Sequence, residues 1–171
     1  MASERKQTRE MEKGAVTNVK LELSRDHQDH DALLRHLAEL VDAKRPPAEI
    51  RQCWLEFEEN LVDHLETEER SLFSVAVQAH RLEIEKLRAE HRQIRQALIG
   101  VSVSVELCTL KRSAIDELLT LLNAHVEHEE RSLHHWLEED EGILALRGVH
   151  AIRSRRERSS ARLKAALKVG A

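Results

Sequence analysis

The chain has 171 residues, which is enough for one domain with an apolar core and too few to expect two. Asp, Glu, Lys and Arg make up 34% of it, while five Gly, two Pro and no Tyr leave few turn and strand formers. The composition therefore predicts an all-α protein and excludes a tyrosyl radical or a phenolate ligand. Since no apolar run is long enough to span a membrane or follows the charged N-terminus, we expect a cytoplasmic protein.

The first half of the chain predicts two helices. Residues 1–18 are polar and without period, so we expect a flexible lead there. From Val19, apolar residues recur at spacings of three and four, as on one face of a helix, up to Pro46 and Pro47. Two adjacent prolines end that helix and suit the first turn of the next one, whose apolar face continues to Leu72.

The second half repeats this arrangement. The apolar stripe loses its phase around residues 78–81, which predicts a turn, and a third helix then extends to Cys108. Ser113, with Asp116 three residues later, resembles a capping box at the start of a fourth helix, and Gly142 is a suitable end for it.

Four long amphipathic helices with short turns predict an up-down-up-down four-helix bundle over residues 19–140. Residues 141–171 predict an additional, basic C-terminal helix, since eight Lys and Arg stand against one Glu from Gly142 onward. Such a tail suits nucleic acid, a membrane or an acidic partner, or it balances the acidic body of the chain. Because the tail has no aromatic residue to stack on bases, we favour the last and expect neither a nucleic-acid nor a membrane partner.

One phrase occurs twice: HLETEERSL at residues 64–72 and HVEHEERSL at residues 125–133 agree at seven of nine positions. In a helix, residues four apart are separated by about 40° in azimuth and about 6 Å along the axis. His64 and Glu68, and likewise His125 and Glu129, are therefore expected to face one centre. A single pair of this kind is commonly a surface ion pair, so the prediction depends on its repetition.

The other two helices each carry a histidine after an acidic residue, in Asp26-His27 and Glu90-His91. In an up-and-down bundle, residues at one level are equally far along the chain from the turn between their helices. The midpoints between the histidines and carboxylates of successive helices all fall on predicted turns. We therefore expect six groups at one level: His27, His64, Glu68, His91, His125 and Glu129.

Four imidazoles and two carboxylates buried together would be costly without a cation, so they predict a metal site. Nitrogen and oxygen donors without sulfur suit iron, manganese or zinc. Two ions fit the set best, because each takes two imidazoles while the carboxylates bridge. A position on each ion then stays open for an oxo, hydroxo or water bridge or for a small diatomic ligand.

Several neighbouring residues receive other roles. Glu69 and Glu130 point about 140° away from the histidine of the phrase, so we expect them in solvent. Glu90 is a candidate proton-handling carboxylate at the mouth of the site. His30 and His128 are outer partners or substitute ligands, and the two cysteines are expected to be reduced core residues. The remaining histidines are expected at the surface or rim: His36, His80, His134, His135 and His150.

The pattern over residues 19–140 resembles the hemerythrin-like, HHE cation-binding family, four-helix bundles that hold a non-haem diiron centre. The six residues match that family's ligand positions, and the resemblance implies iron. The sequence departs from oxygen-carrying hemerythrins at Arg95, where their third helix has a second histidine, and at Glu129, where they use a more distant Asp. Four His with two Glu is similar to the ligand set of iron-centre repair proteins, although we expect no room for their extra N-terminal domain with its cysteine pair.

The resemblance implies a diiron protein that binds O2, NO or peroxide for sensing, scavenging or iron handling. A diiron enzyme that reduces NO or peroxide, or serves in iron-centre repair, is the first alternative. A structural zinc site in an interaction protein is the second. We favour binding over catalysis and leave a homo-oligomer open.

Overall fold

The chain folds as four long helices in a computed structural model that describes residues 2–76 and 78–139. Between the second and third helices, Glu68–Phe73 form a π-helical turn and Ser74–Ala76 return to α-helix. The described residues contain no strand, which confirms the all-α class. The helices are α1, Ala2–Asp42; α2, Pro47–Thr67; α3, Arg81–Glu106; and α4, Arg112–Glu139.

Consecutive helices pack side by side, and α1 also packs against α4, so the four helices close a ring around one core. Their short connections make neighbours antiparallel, which confirms the up-down-up-down bundle. One apolar layer fills the end near the first and last turns and includes Leu34, Leu37, Trp54, Phe57, Ile94 and Leu98. A second layer fills the other end and includes Leu23, Leu72, Phe73, Ile84, Leu87 and Trp136. Between these layers lies a level of buried polar residues.

The turns after α1 and α3 are built in the same way. Lys44 and Cys108 have left-handed backbone conformations, with φ of 51° and 55°. In each turn, the following amide donates a hydrogen bond to the carbonyl five residues back, at 2.9 and 2.8 Å. This pattern satisfies the free carbonyls at a helix end. Lys44 lies 17 residues after His27 and Cys108 lies 17 residues after His91, so the internal repeat includes the turns.

Three boundary or burial predictions need correction. α1 begins at Ala2 rather than Val19. An apolar period indicates which helix face packs against the core, so its absence before Val19 does not exclude a helix. The Glu, Lys, Arg and Met residues of this segment are good helix formers. α4 begins at Arg112, whose Nε donates a hydrogen bond to Asp116 at 2.8 Å, so Asp116 does not close the predicted capping box. Cys108 is exposed, because it occupies the turn rather than the core.

The predicted C-terminal helix over residues 141–171 lies outside the described residues. The division of the chain into lead, bundle and tail therefore stays a prediction. Within the described part of the chain, no helix combines the length and apolar character needed to cross a membrane.

Candidate metal centre

All six residues predicted to share one level meet between the two apolar layers. Each helix contributes one histidine, and Glu68 and Glu129 each follow the histidine of α2 or α4 by four residues. Both glutamates are 0% exposed, and the His27 side chain, which reaches 8%, is still largely buried. Equal distances along the chain from the turns account for this convergence.

The donor atoms form two groups, and within each group they lie within 4.8 Å of one another. The first consists of His27, His64, Glu68 and Glu129, and the second of Glu68, His91 and His125. Glu68 belongs to both. Its Oε1 lies 2.7 Å from Nε2 of His64, and its Oε2 lies 3.4 Å from Nε2 of His91. One carboxylate thus spans the two groups.

Most of these donor atoms lack a hydrogen-bond partner. Both oxygens of Glu68 and of Glu129 are buried without one, as are both ring nitrogens of His27 and Nε2 of His64. The 2.7 Å approach of His64 to Glu68 is an ion-pair contact without the angles of a hydrogen bond. Because buried polar groups are nearly always satisfied, this donor set fits bound cations, which would take the free lone pairs.

The electrostatics favour positive charge at this level. Burial lowers the pKa of His64, but the Glu68 carboxylate and Asp26 outweigh burial and raise it to about 10. Burial likewise acts to raise the pKa of Glu68, yet His64 and His91 hold it well below the usual range. The two carboxylates therefore stabilise positive charge on His64.

Each imidazole turns its Nδ1 toward a carboxylate carried by the preceding helix of the ring. The four pairs and their N···O distances are Asp26 with His64, 3.6 Å; Glu69 with His91, 2.8 Å; Glu90 with His125, 2.9 Å; and Glu130 with His27, 3.9 Å. A carboxylate on Nδ1 favours a proton there and leaves Nε2 free to bind a cation. The contacts to His91 and His125 are short enough for hydrogen bonds and hold these two imidazoles with Nε2 inward, whereas the 3.6 and 3.9 Å approaches to His64 and His27 are too long for one.

Asp26 and Glu90 precede the inward histidines of α1 and α3, but they serve the histidines of the next helices. The sequence signal was present in the two acid-histidine pairs. Sequence reasoning missed the role of Asp26, because periodicity along one helix does not show which neighbouring helix a side chain contacts.

The prediction that Glu69 is in solvent is wrong. Glu69 lies 2.8 Å from Nδ1 of His91 and accepts a hydrogen bond from Arg95 at 2.7 Å. A π-helical turn contains more residues than an α-helical turn, so it changes the azimuth on which the prediction relied. Glu130 remains within α4 and its side chain is 49% exposed, as predicted.

Glu90 connects two histidines at the edge of the site. Its Oε2 lies 2.9 Å from Nδ1 of His125, and its Oε1 lies 2.7 Å from Nδ1 of His128. The side chains of Glu90 and His128 are 30% and 23% exposed, which places them between the donors and solvent. The proton-handling role of Glu90 stays a prediction.

The remaining histidines have varied positions. His30 is buried and packs edge-on against His64, with ring centroids 5.0 Å apart. His36 is exposed, and His80 stacks on Trp136. His134, His135 and His150 lie outside the side chains that the structure describes. Within the described residues, neither donor group includes His30 or His128.

A small cavity borders the donors between α1, α2 and α4. His27, His64 and His125 line it together with apolar side chains, among them Leu61 and Leu122. About 20 Å³ is open to the centre of a water-sized molecule, which is room for about one such molecule. The cavity therefore offers space for a very small ligand beside three of the six donor residues.

The family model of the hemerythrin HHE cation-binding domain matches residues 21–137, which is more than half of the chain. This chain belongs to the hemerythrin HHE family. No curated protein and no solved structure gives a significant match. Membership of the hemerythrin family implies a metal-binding site, and the two buried groups of His and Glu fit one.

Proposed function

We propose that this hemerythrin-family protein holds two iron ions, one in each donor group. The observation that supports this most directly is that two groups of buried donors share Glu68 and that most of their atoms have no hydrogen-bond partner. Each ion would take two imidazoles, and Glu68 would contact both ions. The residue types also suit zinc or manganese, and the choice of iron rests on the family resemblance. The proposed ligands are His27, His64, Glu68, His91, His125 and Glu129.

When bound, the iron ions would supply redox-active positions for O2, NO or peroxide. The small cavity beside His27, His64 and His125 supports a ligand of this size. Its apolar side chains would exclude bulk water and disfavour large or charged molecules. We propose that the protein binds such a ligand in the cytoplasm for sensing, scavenging or iron handling.

An enzyme that reduces NO or peroxide, or that serves in iron-centre repair, is a second candidate favoured by one set of contacts. Glu90 joins His125 to His128, and so links a donor group to the partly exposed edge of the bundle. Such a chain would deliver protons to the site. Rapid mixing of the reduced, iron-loaded protein with O2 separates the two candidates. Stable, reversible binding supports a carrier or sensor, and fast irreversible oxidation with product release supports an enzyme.

A structural zinc site in an interaction protein makes a different prediction. Metal removal would then unfold the bundle, and purified protein would contain zinc without iron. Anomalous scattering at the iron and zinc edges on one crystal identifies the metal at each position. Zinc alone at both positions would contradict the iron proposal.

The shared centre is tested by one substitution in each copy of the phrase. His64→Ala and His125→Ala should each lose much of the metal, because each removes a buried donor. His36→Ala is a matched control, since its side chain is 58% exposed and lies far along α1 from the donors. Metal analysis of the purified variants is the measurement. Full metal content in either donor variant would show that its copy of the phrase does not bind metal.

A further inference from the structure

The two copies of the repeated phrase differ in backbone structure. The last five residues of the first copy belong to the π-helical turn Glu68–Phe73, whereas the second copy lies within the continuous helix α4. Thr67 Oγ1 donates a hydrogen bond to the carbonyl of Asp63 at 2.7 Å, and the Ser71 hydroxyl donates one to the carbonyl of Thr67. Hydroxyl bonds of this kind often bend a helix, but Thr120 makes one to Asp116 within the continuous α4, so they do not by themselves account for the π-helical turn. His128 replaces Thr67 in the second copy, which therefore lacks the first of these bonds.

The π-helical turn brings Glu69 against α3. Its Oε1 lies 2.8 Å from Nδ1 of His91 and accepts a hydrogen bond from Nη1 of Arg95 at 2.7 Å. Glu130 has the same position in the second copy, but it lies 3.9 Å from Nδ1 of His27 and is half exposed. Two glutamates at the same position of the repeated phrase therefore make unequal contacts.

We propose that Glu69 is a positioning residue for the metal centre. It accepts the Nδ1 proton of His91 in a hydrogen bond, so Nε2 of His91, which lies 3.2 Å from Nε2 of His125, carries no proton and can bind a cation. Arg95, four residues after His91 on α3, holds the same carboxylate oxygen in place. The inference rests on the proposed metal function and adds a requirement for a carboxylate outside the ligand set. A carboxylate on the outer nitrogen strengthens the inner nitrogen as a donor and restricts rotation of the ring.

The two donor groups also differ in how closely carboxylates approach the Nδ1 atoms of their imidazoles. In the second group, carboxylates hold His91 and His125 at 2.8 and 2.9 Å. In the first group, the corresponding distances for His64 and His27 are 3.6 and 3.9 Å. The first group contains two carboxylates, while the second contains only Glu68. Stronger imidazole donors would offset the missing carboxylate, so metal in the second group should depend on Glu69.

The test compares Glu69→Gln with Glu130→Gln, the same substitution at the same position of each copy. Each protein is loaded with cobalt(II), a paramagnetic probe that gives resolved signals from exchangeable protons of coordinated imidazoles. In Glu69→Gln, we expect one such signal to move and to exchange faster with water. Release of one cobalt ion to a chelator should become about 10 to 100 times faster. Glu130→Gln should keep the wild-type signals and release rates.

The outcomes separate this inference from the proposed function. If Glu69→Gln binds two ions with wild-type signals and release rates, the positioning role is wrong and the dinuclear site stands. If the wild-type protein binds no cobalt, both are wrong. Thermal unfolding of each metal-free variant shows whether it folds.

Arg95→Gln supplies a second test should Glu69→Gln not fold. The Arg95 side chain is 32% exposed, and this substitution keeps the Glu69 carboxylate. We expect the same imidazole signal to move, and Arg95→Lys, which keeps a cation, to restore part of the shift. An unmoved signal in Arg95→Gln would contradict the proposed role of the carboxylate it holds.

Discussion

One oxygen of Glu68 lies 3.4 Å from Nε2 of His91, although Glu68 follows α2 and His91 lies on α3. The other oxygen lies 2.7 Å from Nε2 of His64 on α2, the helix that directly precedes Glu68. Within the described residues, Glu68 alone belongs to both donor groups. The internal repeat therefore has one shared carboxylate at its centre rather than two independent sites.

Glu68→Gln should reduce binding in both groups, because it removes a negative charge and an oxygen donor from each. We expect the metal content to fall below one ion per chain. Glu66→Gln is the control, since Glu66 lies two residues earlier and pairs with Arg70 at the surface. Metal analysis after gel filtration provides the measurement. Two ions retained in Glu68→Gln would contradict the shared role.

His27→Ala and His91→Ala should each remove one ion and leave the other. Each histidine belongs to one donor group and not to the other. Titration of the metal-free variants with iron(II) under anaerobic conditions gives the number of ions bound. A variant that still binds two ions would place its histidine outside the centre.

Metal binding should stabilise the bundle, since cations would satisfy donor atoms that otherwise lie buried without partners. At a free metal concentration of 100 times the Kd, the free energy of unfolding should rise by about 2.7 kcal/mol per site. Urea unfolding with metal and with chelator measures the difference. The double variant of His64→Ala and His125→Ala should show almost none, and an equal gain in that variant would indicate binding elsewhere.

Two isoleucines on α3 test the orientation of that helix. Ile94 is 1% exposed within the core, and Ile99 is 57% exposed. Ile94→Ala should lower the free energy of unfolding by about 2–5 kcal/mol, because it leaves a cavity. Ile99→Ala should change it by less than about 0.5 kcal/mol. Similar losses in both variants, measured by urea unfolding, would mean that α3 is rotated or that its outer face is covered.

The two cysteines should differ in reactivity. Cys108 is exposed in a turn, whereas Cys53 is buried. Burial, together with the nearby Glu56 carboxylate, raises the pKa of the Cys53 thiol and lowers its thiolate fraction. A thiol reagent should therefore label one cysteine rapidly in the folded protein and the second only after unfolding. Cys108→Ser should abolish the rapid phase, and rapid labelling of Cys53 in that variant would contradict the burial.

The level of the site could be predicted because antiparallel helices rise by equal amounts per residue from their turns. The matching turns at Lys44 and Cys108 provide a structural basis for this, since each lies the same number of residues after His27 or His91. The direction of the His64 and Glu68 side chains around the helix axis could also be predicted, because the chain is α-helical up to Thr67.

The sequence by itself determined the helical class, the faces of the helices and the six groups that converge, since all of these follow from α-helical periodicity and distance from turns. Only the tertiary structure decided which carboxylate faces which imidazole. Glu69 shows the physical reason. Its orientation depends on a local change to π-helical bonding and on contacts with two residues of α3. These residues, His91 and Arg95, lie 22 and 26 residues further along the chain.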